Sequence, residues 1–473
     1  MNHKWVSLLL RVFYLLIVTS ILYLFANHWS YDDPFITYRY ASNILNGIGF
    51  VYNAGEPILS TTTPLFALLL AGLNWLWPNL PQLAMGIGSA SLAAGGLILF
   101  HLASLQRTPL MSWFCLLLYP IFPLTILTLG SETPLYLALI LGTILAYQKK
   151  QYLWTGFLAG LAVLARPDGA LLPILLAIHF LLSGSRPIPW KAIMLFAMIN
   201  LAWFGFAWLY FGSPLPVTLA AKQQQGAMTI SERFLPGFIT SIKGYASVWG
   251  YQIAAILAAF GVVYVIKFRR MVLVLTWTAT YFAAYSILGV SRYYWYYAPL
   301  VPGFVVLAGA GLSLLWELRV RITGRWVYGL AGLVLAIFTV VSLTQLRDLW
   351  RFRRIQDERI PVYTEVGKWL NAHTPFDASV GALEVGAIGY FSHRRMIDFA
   401  GLIQPDVARQ LTKETTYEDA ALYAVARYLP DYVVLNSGIF PKLRDGPLTR
   451  NCQSLDSFQN GKVAVELFEC HWD

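Results

Sequence analysis

Two adjacent carboxylates, Asp32 and Asp33, stand just after the first long apolar stretch of this sequence. A carboxylate in such a place can take up a proton or help to hold a divalent cation. Other isolated charged residues follow at later breaks between apolar stretches. They are Arg39, Glu132, Arg166, Asp168, Lys222 and Arg292. Two carboxylates that face several separate cations are more than the solvation of loops requires, and we expect them to form a functional site.

Each of these residues also has a structural explanation. The segment Asp32-Asp33-Pro34 is typical of a helix start, with an acid at the N-cap and proline in the first turn. Arg166 and Asp168 can pair with each other, and Glu132 can cap its own helix. The aromatic residues at 293–297 suit an interfacial aromatic belt. The functional interpretation therefore depends on whether these residues lie on one side of a membrane.

Charge is scarce and unevenly distributed along the chain. Only 12% of the 473 residues are charged and 57% are hydrophobic, whereas soluble domains carry roughly 25% charged residues. Seven of the 24 acidic residues lie in 1–346 and the other 17 lie in 347–473. This pattern predicts a membrane domain over 1–346 and a soluble domain over 347–473. The net charge of +10 reflects cytoplasmic basic loops, and we predict no nucleic-acid partner.

Apolar runs indicate an α-helical, polytopic membrane protein. A span needs about 20 mostly apolar residues. Eleven candidate spans lie at 7–27, 82–104, 109–129, 132–147, 152–166, 169–182, 191–211, 246–266, 271–289, 298–316 and 325–346. Four basic loops should face the cytoplasm, which requires the short run 63–77 to lie on the outer surface. We therefore expect about eleven crossings, an outer loop at 28–81 with two surface helices, and an external tail.

The tail reads as a small α/β domain. Helical spacing covers 362–373 and 420–428, and short buried strands are predicted at 378–383 and 432–435. Two cysteines, Cys452 and Cys470, lie in this domain. A disulfide between them would place the tail in an oxidising compartment, but the sequence leaves their pairing open.

Several different short motifs follow one another along nearly the whole chain. They lie at 31–41 (YDDPFITYRYA), 46–53, 55–56, 62–65, 130–135, 160–169, 212–216 with Lys222, 291–293, 389–391 and 397–398. This ordered set resembles GT-C fold membrane glycosyltransferases, in particular the bacterial arabinofuranosyl- and mannosyltransferase-like proteins. The resemblance also explains the run 63–77, because the first outer loop of this family carries two helices parallel to the membrane.

The resemblance implies an inverting transfer of a single sugar from a polyprenyl-phosphate carrier to an acceptor hydroxyl on a glycan, lipid or protein. The site would face outside in the bacterial cytoplasmic (inner) membrane. Asp33 would be the general base with Asp32 as its partner, or the reverse. The expected donor-phosphate ligands are the cations Arg39, Arg166, Lys222 and Arg292. The expected substrate-binding residues are Glu56, Glu132, Asp168, Tyr293 and Tyr296.

Two further questions stay open at the level of sequence. No cofactor is predicted, although Mg²⁺ or Mn²⁺ held by Asp32 and Asp33 is an alternative. A transporter or flippase of a lipid-linked sugar would also place charges within a helical bundle. Transporters, however, often carry internal repeats and charges near the midplane, whereas here we find no repeat and the charges cluster at one end of the helices. A scaffold that presents the tail would leave those charges unexplained.

Overall fold

The computed structural model describes residues 3–472 of the chain. Its first part consists of helices joined by short loops. The helices are α1 (His3–Ala26), α2 (Asp32–Leu45), α3 (Pro64–Leu73), α4 (Leu80–Leu105), α5 (Pro109–Leu118), α6 (Pro123–Ile126), α7 (Thr133–Gln148), α8 (Tyr152–Ala165), α9 (Leu171–Leu182), α10 (Trp190–Phe211), α11 (Thr218–Ala227), α12 (Phe234–Ala246), α13 (Trp249–Phe268), α14 (Val272–Leu288), α15 (Val301–Glu317) and α16 (Arg325–Phe352).

Six helical segments, centred on α1, α4, α10, α13, α15 and α16, are long and apolar enough to cross a membrane. Many of their large apolar side chains are exposed, which suits lipid rather than water as the solvent. The other predicted spans correspond to shorter apolar helices of 10–17 residues. The chain is thus a multi-pass helical membrane protein, and the number of eleven crossings stays a prediction.

Proline breaks one predicted span and starts the helix of the surface run. The run 109–129 is not the single helix that we expected, because α5 ends at Leu118 and α6 begins only at Pro123. Pro120 and Pro123 lack the N–H that would continue the ladder. In the run 63–77, α3 has 10 residues and is therefore about 15 Å long, about half of what a span requires.

The tail is a five-stranded sheet with helices on both faces. Its elements are α17 (Arg359–His373), β1 (Ser379–Ala382), α18 (Gly386–Ser392), β2 (Arg395–Asp398), α19 (Pro405–Ala408), α20 (Tyr417–Tyr428), β3 (Tyr432–Asn436), α21 (Pro441–Leu443), α22 (Thr449–Asn451), β4 (Cys452–Asn460) and β5 (Val463–Cys470). The strand order is β2-β1-β3-β5-β4, with β1 parallel to β2 and β3 and the other pairs antiparallel. Cys452 and Cys470 form a disulfide across the β4–β5 hairpin, which answers the question that the sequence left open.

The outer loop and the tail share one hydrophobic core. Phe35 and Tyr38 on α2 pack against Tyr390 and Phe391 on α18. A Cβ on Gly386 would collide with the backbone of Asp32, so only glycine permits this approach of α18 to α2. The tail is therefore fixed against the first outer loop.

Candidate active site

Two neighbouring cavities open beside the start of α2. Their volumes are about 360 Å³ for the first cavity and about 460 Å³ for the second. Asp33, Lys222 and Trp295 line both cavities. The first cavity continues between the ends of the membrane helices, and the second continues towards the tail. We call these the membrane-side cavity and the tail-side cavity.

Asp33 and Lys222 form an ion pair where the two cavities meet. Asp33 Oδ2 lies 3.7 Å from Lys222 Nζ, and the side chain of Asp33 keeps 34% of its surface exposed against 10% for Lys222. Burial lowers the pKa of Lys222, but Asp33 and other neighbouring groups raise it further, so that the net shift is upward. Lys222 reaches this place because α10 ends at Gly212, whose φ of +71° lets the chain turn back into α11. The amine is therefore held charged next to an accessible carboxylate.

Arg166 lines the membrane-side cavity and forms ion pairs with two carboxylates. Its guanidinium lies 2.9 Å from Asp168 and 3.3 Å from Glu132, and it donates to the Tyr285 hydroxyl at 2.9 Å. The helix α8 ends here because the residue before Pro167 is driven into extended conformation. Arg166, Glu132 and Asp168 all line this cavity, so the structure brings these three predicted site residues together. Arg166 is already paired, and Glu132 and Asp168 are its oriented partners.

The aromatic residues divide between the cavities. Tyr296 lines the membrane-side cavity, whereas Tyr293 lines the tail-side cavity. The Tyr293 ring stacks on Trp295 with centroids 4.5 Å apart and lies 4.0 Å from Lys222 Nζ. Arg292 also lines the tail-side cavity, where it pairs with Glu232.

Asp32 has a structural role that differs from both predicted roles. The N-cap of α2 is Tyr31, so the prediction of an acidic N-cap is wrong. Asp32 instead accepts backbone N–H groups of the tail, from Gly386 at 2.9 Å and Ala387 at 2.8 Å. Both oxygens are thus used at the first turn of α18, and burial followed by the nearby Glu384 raises the pKa of Asp32. This carboxylate joins the tail to the outer loop, and Asp33 is the accessible member of the pair.

Arg39 and Glu56 lie outside both cavities, so the structure does not bring them together with the other predicted site residues. Arg39 is 4% exposed, and it donates to the carbonyl oxygens of Tyr52, Gly389 and Arg394. All three of its nitrogens donate to backbone carbonyl oxygens in the buried contact between the outer loop and the tail. Glu56 lies 2.7 Å from Arg395 and fixes the outer loop to β2. The sequence placed both at the same end of the helices as Asp33 but could not show that the tail covers them.

Several lining residues were missed by the sequence analysis because they come from the tail. Glu384 and Tyr417 line the tail-side cavity together with Arg359. The pKa of Glu384 is raised overall: burial and the nearby Asp33 raise it, and this outweighs the lowering by Arg359. Glu384 follows the predicted strand at 378–383, and the carboxyl ends of parallel strands are common ligand sites. The position of Glu384 just after this predicted strand is the sequence feature that could have indicated a ligand-binding residue.

The surroundings of Asp32 and Asp33 do not favour a metal ion between them. The oxygens of Asp32 already accept two backbone N–H groups, and Asp33 lies beside an ammonium group. Within residues 3–472, no group of three or more His, Cys, Asp or Glu side chains is arranged to hold a metal ion.

The fold matches solved membrane enzymes along its whole length. ArnT from Cupriavidus metallidurans bound to undecaprenyl phosphate superposes with a TM-score of 0.59 at 13% identity, covering 99% of this chain and 98% of that chain. The same protein in the apo state gives a TM-score of 0.61 at 12% identity, covering 98% of each chain. An Archaeoglobus fulgidus oligosaccharyltransferase complex with Zn and sulfate gives 0.54 at 14% identity, covering 89% of this chain and 67% of that chain.

Comparison by sequence gives fewer matches than comparison by structure. A family model described as a domain of unknown function, DUF8728, matches residues 348–468, which lie in the tail. No curated protein matches the chain. The structural likeness shows that this chain has the GT-C fold, as its motifs indicated.

Proposed function

We propose that this protein is an inverting glycosyltransferase that moves a single sugar from a polyprenyl-phosphate carrier to an acceptor hydroxyl. The observation that carries the proposal is the position of Asp33, an accessible carboxylate at the junction of two cavities and 3.7 Å from a buried lysine. An inverting displacement needs the acceptor and the leaving phosphate on opposite sides of the anomeric carbon. Two cavities that meet at one carboxylate provide that arrangement.

The membrane-side cavity suits the lipid-linked donor. Leu215, Leu219 and Leu288 line it and are 64%, 47% and 39% exposed. Leu215 lies in the loop before α11, Leu219 in the first turn of α11 and Leu288 at the end of α14, so these exposed apolar side chains give a prenyl chain a path out of the cavity. The occurrence of undecaprenyl phosphate in the ArnT structure, which has the same fold, supports this assignment of the donor.

Lys222 is positioned to bind the donor phosphate. As the bond between the anomeric carbon and the phosphate oxygen breaks, negative charge grows on that oxygen. A fixed ammonium group in a site of low dielectric stabilises this charge without reorganisation. Glu132 and Asp168, oriented by Arg166, accept hydrogen bonds from the sugar hydroxyls.

Asp33 acts as the general base. It takes the proton of the acceptor hydroxyl while the hydroxyl oxygen forms its bond to the anomeric carbon, and the carrier leaves as polyprenyl phosphate. General-base catalysis of this kind contributes about 10²–10⁴-fold. We assign this role to Asp33 rather than Asp32 because Asp32 is engaged with Gly386 and Ala387. The reaction uses no metal, since Lys222 supplies the positive charge.

We further propose which side of the membrane the site and the tail face. The four basic loops lie on the side opposite to the cavities in the predicted topology, so the site and the tail face outside in the cytoplasmic membrane of a bacterium. The carrier then presents its sugar to an acceptor in the cell envelope.

Mass spectrometry of a deletion strain tests this function. We expect envelope glycans, glycolipids or glycoproteins that lack one sugar residue, together with accumulation of the polyprenyl-phosphate sugar. Expression of the wild-type chain should restore the sugar, and a chain with Asp33→Asn should not. Loss of several sugars at once, or accumulation of a donor on the inner leaflet only, would contradict transfer of a single sugar and would favour a flippase.

A further inference from the structure

The tail-side cavity is lined very differently from the membrane-side cavity. Its own lining residues are mainly polar or aromatic, and many belong to the tail: they include Asp357, Arg359, Glu384 and Tyr417. The tail contributes Leu402 to the membrane-side cavity, and the exposed leucines that open onto lipid belong to that cavity. The two cavities are therefore built for ligands of different polarity.

The cations of the tail-side cavity are paired within the protein. Arg359 lies 2.7 Å from Asp357 and 2.8 Å from Glu384, and Arg292 pairs with Glu232. Lys222, the remaining cation, is assigned to the donor phosphate in the proposed function. An anionic acceptor such as a lipid phosphate would have to displace these partners. Such a lining is poor for an anion and good for a neutral ligand that donates hydrogen bonds.

The cavity wall also carries stacked aromatic rings. Trp295 stacks on Tyr31 with centroids 5.5 Å apart and on Tyr293 with centroids 4.5 Å apart. Gln225, 1% exposed, adds a buried amide that the Tyr293 hydroxyl contacts at 3.3 Å. Aromatic faces pack against the C–H groups of sugar rings, while carboxylates and amides bind the hydroxyl groups.

We infer that the tail-side cavity binds the acceptor, that this acceptor is a saccharide rather than a lipid or a protein, and that Glu384 positions its reactive hydroxyl next to Asp33. This inference rests on the proposed function, which left the acceptor open. Glu384 lies two residues before Gly386, which together with Ala387 donates its N–H group to the Asp32 carboxylate. The distance between Glu384 and Asp33 is thus set by a short, buried connection.

The acceptor class is tested by supplying two fractions from a deletion strain. The full-length protein in lipid nanodiscs receives undecaprenyl phosphate carrying tritiated arabinofuranose or mannose. One reaction contains delipidated, protease-treated envelope polysaccharide, and the other contains the lipid extract and membrane protein. We expect label in the polysaccharide. Label in lipid or protein would overturn this inference while leaving the proposed function intact, and no consumption of either donor together with an unchanged envelope in the deletion strain would overturn both.

The role of Glu384 is tested by separating the two KM values. Glu384→Gln keeps the shape and removes the charge, so we expect the acceptor KM to rise about tenfold or more and the donor KM to change much less. Glu384→Asp should recover part of the loss. Glu365→Gln, on the exposed face of α17, is the matched control.

A second variant tests the same cavity independently, in case Glu384→Gln does not fold. Tyr417→Ala removes part of the cavity wall and should also raise the acceptor KM more than the donor KM. Equal changes in both KM values for both variants, or an unchanged acceptor KM in folded protein, would overturn the positioning role of Glu384.

Discussion

At the scale of single residues, partners rather than residue types decide which charged side chains are available for chemistry. Asp32 and Asp33 are neighbours in sequence, but Asp32 binds two backbone N–H groups of the tail and lines only the tail-side cavity, whereas Asp33 lines both cavities. Lys222 and Arg39 were both predicted to bind phosphate. Of these two, only Lys222 lines the cavities, because Arg39 is buried against carbonyl oxygens of the outer loop and the tail.

Lys222 and Arg292, both expected to bind the donor phosphate, should differ in their effect on the donor. Lys222→Gln should lower kcat/KM for the donor by about 10²-fold or more, because it removes charge stabilisation from the transition state. Arg292→Gln should change it by less than about threefold, since this partly exposed side chain pairs with Glu232 at the rim. Steady-state kinetics with a polyprenyl-phosphate sugar measure both values. Similar losses of kcat/KM in the two variants would contradict the assignment of Lys222 to the donor phosphate.

At the scale of elements, the sequence predicted the helices of the membrane domain well because their signal is local. Apolar runs and the prolines beside them located most of the apolar helices. The shortness of 63–77 agrees with the ten residues of α3, and its position on the outer surface stays a prediction. The failure at 109–129 came from treating an apolar run as one helix in spite of Pro120. The docking of α18 onto α2 was not predictable, because it joins residues more than 350 positions apart.

The docking contact between α2 and α18 should depend on pH. Burial, and then Glu384, raise the pKa of Asp32 above its ordinary value of 3.8. The folded protein therefore binds this proton more tightly than the unfolded chain does, and Asp32 contributes stability that falls as the pH rises from about 3.8 towards the raised pKa. We expect the Tm of the wild type in detergent to fall over this window, and Asp32→Asn to reduce that dependence. A wild-type Tm that rises over the same window, with the rise absent in the variant, would contradict the direction of the shift.

At the scale of the whole molecule, the tail forms part of the site. The sequence indicated a separate soluble domain after the last apolar run, and its strands at 378–383 and 432–435 lie close to β1 and β3. Sequence patterns could not show that this domain covers the outer loop and supplies Glu384 and Tyr417 to a cavity. Contacts between distant parts of a chain depend on shape complementarity, which residue periodicity does not contain.

The predicted topology can be tested with single cysteines in intact cells. Phe376, 74% exposed in the tail, should react as Phe376→Cys with a membrane-impermeant maleimide added from outside. Lys149→Cys, in a basic loop, should react only after permeabilisation. Cys115 is buried and the other two cysteines form a disulfide, so background labelling should be low. The reverse pattern would place the site and the tail in the cytoplasm.

The central claim is that Asp33 is the general base of sugar transfer, and a single comparison tests it most directly. Transfer from a tritiated undecaprenyl-phosphate sugar is measured at saturating donor and acceptor for the wild type, for Asp33→Asn and for the exposed control Glu365→Gln. We predict that Asp33→Asn lowers kcat by about 10²–10⁴-fold with an unchanged Tm, while the control retains wild-type kcat. Full activity of purified, folded Asp33→Asn would contradict the account.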